Sequence, residues 1–196
     1  MRKTGRFERL TLASKALLLN ARVKVVVHIT GLTRRELEKV FYDCPQFHVN
    51  PGRYPASSEW FVAASLIVAF HTAIFYSIFQ AIVARDIPPG DALVAAYQKY
   101  QARFGHDLRI DFDRAFLLIS FVDGHWTKDA PTLEAVDCRD CHGLYIGAVG
   151  EGQVRHSSCP LCKVASTFER SRRISIALAH PGLQALLKNS FNERGI

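Results

Sequence analysis

Apolar residues recur at helical spacing through most of the first 125 positions, and breaker residues divide them into segments. A first helix is expected from about Glu8 to Thr30. Gly31-Leu32-Thr33 interrupts it, and a second helix follows from Arg34 to about Asp43. Pro45 to Pro55, with Pro51-Gly52 inside it, reads as a connector. A long apolar helix then runs from about Ser58 to Arg85 and stops before Pro88-Pro89-Gly90. Asp91 caps the next helix, whose stripe is Leu93, Tyr97, Tyr100 and Phe104 and whose end is Gly105. Asp111 starts another, with Phe112, Phe116, Ile119 and Val122 inward and Gly124 as its stop. After Pro131 the helical period gives way to short, glycine-punctuated segments. It resumes around Phe168 to Ala179 and again from Pro181, with Leu183, Leu186, Leu187 and Phe191. The expected fold class is mainly α: a helical bundle over residues 1–130, then a small module at 131–196 with a basic helical tail.

The stretch from Trp60 to Ala84 contains no charged residue and is long enough to cross a bilayer as a helix. Ser65, His71, Thr72, Ser77 and Gln80 are spread along it, with His71-Thr72 near its midpoint, where lipid would penalise them most. A single span would also put two basic ends on opposite sides of a membrane, against the positive-inside tendency. A buried helix of a protein core, with no membrane partner, is the expected reading.

Composition then narrows the class. At 196 residues, 48% hydrophobic and 22% charged, the chain has a globular composition with a core to bury. Its net charge of +7 is segregated. Residues 1–59 carry 11 basic and 5 acidic groups, residues 86–137 carry 5 and 9, and residues 138–196 carry 8 and 4. Two basic ends flank an acidic middle, which is an electrostatic footprint for phosphates. No Ser/His/Asp set, P-loop or dinucleotide fingerprint with supporting context is present, so an enzyme is not expected.

Four of the five cysteines form two CxxC pairs. Cys138-Arg139-Asp140-Cys141 and Cys159-Pro160-Leu161-Cys162 are seventeen residues apart, inside the window for a four-thiolate zinc site. Each pair can aim two sulfurs from one tight turn at a shared ion, and four thiolates leave no open position, so the zinc expected, one per chain, is structural. Disulfides, a redox dithiol, or iron on the same sulfurs are the competing readings, and His142 and His156 are near enough in sequence to compete as ligands. Gly143 is expected to help the chain turn back, and Cys44 to be a small buried residue. The odd cysteine count, with a basic start that lacks an immediate apolar run, points to a reducing, cytoplasmic setting.

A helix-turn-helix candidate occupies about residues 20–43. Thr33 and Glu36 form a capping box, with Leu32 and Leu37 at the staple positions. Leu32, Leu37 and Val40 are expected to pack inward, leaving Arg34, Arg35 and Lys39 outward. Two arginines in a first turn oppose the helix dipole, a local cost that phosphate or a guanine edge would offset. Val27 occupies a place where many such motifs keep a smaller residue. A second basic cluster, Arg170, Arg172 and Arg173, follows the cysteine module.

The order of these features resembles the FlhC family, the larger subunit of the bacterial flagellar master transcriptional activator. The resemblance runs from about Leu10 to Arg173 and rests on the early helix-turn-helix-like segment, the Pro51–Pro55 connector into Ser58-Glu59-Trp60-Phe61, the long apolar helix, and the cysteine pairs followed by a basic stretch. It implies zinc on Cys138, Cys141, Cys159 and Cys162. It also implies a hetero-hexamer of four FlhD and two FlhC subunits, promoter double-stranded DNA as ligand, and RNA polymerase as the activated partner. An apolar Trp60–Ala84 is then reasonable as part interface. The competing class is a zinc-ribbon RNA-binding or ribosome-associated protein, which would use the same basic ends without FlhD.

Overall fold

The computed structural model describes residues 5–41, 44, 57–127, 129–150 and 159–167. The chain begins with α1 (Arg6–Leu18) and α2 (Val23–Thr30), where a single helix was expected. The break contains no glycine or proline. Asn20 turns the chain at φ 61°, a conformation asparagine tolerates better than most residues, and Ala21 is buried completely. The turn directs Arg22 toward the seventh helix: its backbone N–H donates to Asp113 Oδ1 at 3.0 Å, and its Nε lies 3.1 Å from Oδ2. Burial, partly opposed by the Arg22 amide, raises the Asp113 carboxyl above its ordinary value.

Gly31 closes α2 in the left-handed region, φ 65°, and its N–H bonds the Val27 carbonyl at 2.9 Å. The capping box of α3 (Arg34–Phe41) is formed as expected: Thr33 N–H donates to Glu36 Oε2 at 2.8 Å and Glu36 N–H to Thr33 Oγ1 at 3.2 Å. Leu32 and Leu37 are buried, but Val40 is exposed and Phe41 takes the inward place. Four residues beyond Leu37, Phe41 continues the buried face; Val40, only three beyond, falls at its margin.

The long apolar segment is also divided. A single turn, α4 (Glu59–Val62), precedes α5 (Leu66–Val83), and Ser65 caps α5 by accepting from Val68 N–H at 3.5 Å. The break lets Phe61 enter the core edge-on to Phe121 while the Arg114 guanidinium lies 4.1 Å over the Trp60 ring. Leu66–Val83 has the length and mean hydropathy, 1.9, of a membrane-crossing helix. Here α4 and the helices and strand hairpin that follow in the chain pack around it, and within it Ala81 is the exposed position.

Helix α6 (Pro89–Phe104) starts three residues earlier than expected, with Pro88 rather than Asp91 at its N-cap; Asp91 falls in its first turn. Proline at the first helical position gives up only an N–H that had no partner there. Gly90 is required by packing, because a Cβ would lie 2.9 Å from Leu12 Cδ2 and 3.1 Å from the Ile29 carbonyl. The α6 stripe Leu93, Tyr97, Tyr100, Phe104 is buried, with Tyr97 and Tyr100 edge-on to Phe75 of α5 and Phe104 against His71. Each such ring removed from water contributes about 1.5–3 kcal/mol. Helix α7 (Phe112–Asp123) begins at Asp111, which accepts from Arg114 N–H at 2.7 Å, and ends at Gly124; Val122 is half-buried rather than buried.

Between α5 and α6 one polar pair is enclosed. Tyr100 Oη accepts the Arg109 N–H at 3.2 Å and is hydrogen-bonded to His71 Nδ1, 2.7 Å away. Burial and then Arg109 depress His71 to about 4, so the ring is neutral at pH 7.

Strands β1 (Leu133–Asp137) and β2 (Leu144–Ala148) form an antiparallel hairpin, in register from Leu133 opposite Ala148 to Asp137 opposite Leu144. It packs on α7 and α5, and α8 (Pro160–Thr167) packs on α5. Leu133 and Val164 join the helical core, so the cysteine-bearing segments are not a separate bead on it. Helix α8 was not foreseen, although Pro160 at its first position is a start signal. The helical signals beyond Phe168 lie outside the described residues.

Candidate metal centre and nucleic-acid surface

The β-hairpin and α8 present the two CxxC pairs to each other. Cys138 follows β1, and the chain reverses through Cys141, with Cys138 N–H bonding the Gly143 carbonyl at 3.1 Å and His142 N–H the Cys138 carbonyl at 2.8 Å. Cys159 immediately precedes α8 and Cys162 lies in its first turn. The four sulfurs lie within 4.8 Å of one another, with Cys138–Cys162 and Cys141–Cys159 each at 3.7 Å. Thiolates bound tetrahedrally at about 2.3 Å lie about 3.8 Å apart, so the spacing fits one shared ion. All four thiols are free of disulfides.

Local backbone prepares the sulfurs. Burial would raise Cys138, but the Cys141 and Asp140 amides bond its sulfur and hold it below the usual thiol range. Burial, only partly opposed by the Cys162 amide, pushes Cys159 up to about 12, with the Cys138 and Cys141 thiols adding to the rise. Burial and the same two neighbours push Cys162 up as well. Four crowded thiols resist ionising together, and a divalent cation is the group that reverses this.

His142 carries the left-handed turn of the first pair, φ 52°, and its exposed side chain is not part of the sulfur cluster; His156 lies outside the described residues. Gly143 is needed for proximity: a Cβ there would overlap Leu161 Cδ1 and come within 3.3 Å of Cys141 Sγ. The left-handed residue of this reversal is His142, while Gly143 accepts the Cys138 N–H that closes it.

Arg34, Arg35 and Lys39 are exposed on α3 as expected. Arg34 has a partner within its own helix, Glu38, with Nε to Oε1 at 2.7 Å. Part of the cost expected of Arg34 at the start of α3 is therefore met within the helix, by Glu38. Arg170, Arg172 and Arg173 lie outside the described residues. Cys44 is half-buried, and its thiol faces the Val40 carbonyl at 3.8 Å.

The sequence model of the flagellar transcriptional activator (FlhC) family matches residues 4–175. The chain belongs to the FlhC family. Curated FlhC relatives align over most of their length. A flagellar transcriptional regulator of Gallionella capsiferriformans is 25% identical over 152 residues, 75% of this chain and 79% of that protein. One from Nitrosomonas eutropha is 27% identical over 173 residues, covering 85% and 84%. One from Xenorhabdus nematophila is 25% identical over 181 residues, 89% of each. Both the helical body and the cysteine cluster thus fall within the FlhC match, and the function of this chain is flagellar transcriptional activation.

Proposed function

We propose that this FlhC chain binds promoter duplex DNA together with FlhD, in a hetero-hexamer of four FlhD and two FlhC subunits, and activates RNA polymerase in the cytoplasm. The observation that carries the DNA reading is α3: a capped helix entered through the Gly31 turn, seated by Leu32 and Leu37, with Arg34, Arg35 and Lys39 facing solvent. Helix, glycine turn and basic second helix is the arrangement that offers side chains to a major groove. In the division of labour proposed, Arg35 meets a base edge or phosphate, while Arg34, Lys39, Arg170, Arg172 and Arg173 supply phosphate contacts that fix the register.

Zinc is the ion proposed for Cys138, Cys141, Cys159 and Cys162. A closed four-thiolate shell offers no site for water or substrate, so its contribution is to tie α8 to the hairpin and thereby hold the basic tail. The deciding experiment purifies the chain with and without FlhD and measures each preparation on flagellar promoter duplex, scrambled duplex and structured RNA. Salt-sensitive, promoter-selective binding by the FlhD complex is expected. Failure of both preparations to bind duplex, or preference for RNA without FlhD, overturns the proposal.

A further inference from the structure

Helix α1 lies against α2 and also packs on α6. Arg9 shares a 310 Å³ cleft with Ile29 and Thr30, the last residues of α2, and with Pro88–Asp91, His125 and Trp126. Its Nε is shut from solvent with no hydrogen-bond partner, so the stem is held by shape and the guanidinium end is left unspent. Arg6 is exposed one turn earlier on the same face, at i−3. Both arginines act on Glu36 of α3: although its capping bonds from Thr33 come first, their charges also hold its carboxyl below the ordinary range.

Three of the acidic groups around this junction are committed, and a fourth, Asp91, lines the cleft with Arg9. Glu8 accepts from Gly5 N–H at 2.8 Å, Glu36 accepts from Thr33, and Glu38 binds Arg34. Arg6, Arg9, Arg35 and Lys39 have no ion pair among the described residues. Positive charge is therefore left over on α1 beside the end of α2, and on the exposed face of α3 that follows it in the chain.

We propose that Arg6 and Arg9 of α1 complete, with Arg35 and Lys39 of α3, a phosphate-binding edge by which α1 grips the DNA backbone beside the helix-turn-helix-like pair. This rests on the DNA-binding reading and adds a second element to it. The recognition is of backbone phosphate, so these two residues supply affinity and register and leave base preference to α3.

The test uses the full chain as its complex with FlhD, titrated with promoter and scrambled duplex over a salt series. Arg6→Gln/Arg9→Gln should weaken both duplexes alike and make the log–log salt slope shallower by about 2, with the promoter-to-scrambled ratio unchanged. Arg6→Gln alone, a fully exposed change that keeps the fold intact, should give about half that, and Arg6→Lys/Arg9→Lys should restore the slope. Lys99→Gln, an exposed charge in the last two turns of α6, should leave it unchanged. A wild-type slope and affinity in both glutamine variants overturns the proposal while leaving DNA binding by α3 intact. A loss matched by Lys99→Gln reduces the effect to net charge and also overturns it. Absence of duplex binding by the wild-type complex overturns this proposal together with the reading on which it rests.

Discussion

Gly143 and Leu161 meet across the cysteine centre so closely that the glycine has no room for a β-carbon. Gly143 follows the first CxxC pair and Leu161 lies inside the second, so their contact sets how near the hairpin and α8 approach. Gly143→Ala should therefore push α8 outward and cost about 1–3 kcal/mol. A lower melting temperature and weaker metal retention in a chelator competition are expected; wild-type values for both would show that the approach is loose.

Replacing Cys141 or Cys159 with serine should abolish binding of one metal ion per chain. Because metal-binding free energy is folding free energy where the apo site is not self-supporting, the hairpin and α8 should lose protection in hydrogen exchange while α5 and α6 retain it. Full metal content and unchanged melting in Cys159→Ser would contradict the assignment.

The buried His71 predicts an acid limb of stability. Its folded pKa, about 4, lies below the unfolded value of 6.5. Between these values the unfolded chain binds a proton that the folded chain refuses, so stability is fully present above pH 6.5 and falls as pH drops toward 4. The loss attributable to this group is about 3 kcal/mol. In urea melts from pH 7.5 to 4.5, His71→Gln should flatten this limb even if it lowers overall stability; an unchanged slope would assign the acid sensitivity elsewhere.

The two basic clusters should separate in DNA titrations of the FlhD complex. Arg35→Ala is expected to cost about 1–3 kcal/mol on the promoter and to flatten discrimination against mutated sites. Arg172→Ala/Arg173→Ala should weaken all duplexes similarly and make the salt slope shallower by about 1–2. Arg34→Ala should cost less than Arg35→Ala, because Arg34 must leave Glu38 to meet DNA. Equal discrimination by wild type and the Arg35 variant would remove α3 from sequence reading.

How much was legible in the sequence depended on whether the deciding signal was local. The α3 capping box, the Gly31 and Gly124 stops and the α6 stripe involve residues within one or two turns of each other, and they stand where expected. The four cysteines converge because each pair is a local turn, although the partnership between pairs is long-range. Breaks created by tertiary contact were not legible. Asn20 and Ser65 interrupt apolar runs whose periodicity continues past them, because Arg22 must reach Asp113 and Phe61 must reach Phe121. Arg6 and Arg9 carried no motif, and only the approach of α1 to the end of α2 gives them a role. Gly143 was read as part of the chain reversal, where its carbonyl accepts from Cys138, but its second role could not be read, since a sequence does not show which neighbour needs the space.

The double hold of Arg22 on Asp113 has a consequence for how the family can vary. The start of α2 is fastened to α7 in the protein's interior, while its end opens into the free Gly31 turn. The base of the pair is anchored and the tip is adjustable. Substitutions on α3 can accordingly retune what the surface reads without dislodging the helix beneath it, whereas a change at Asp113 would swing the whole pair and alter every contact at once.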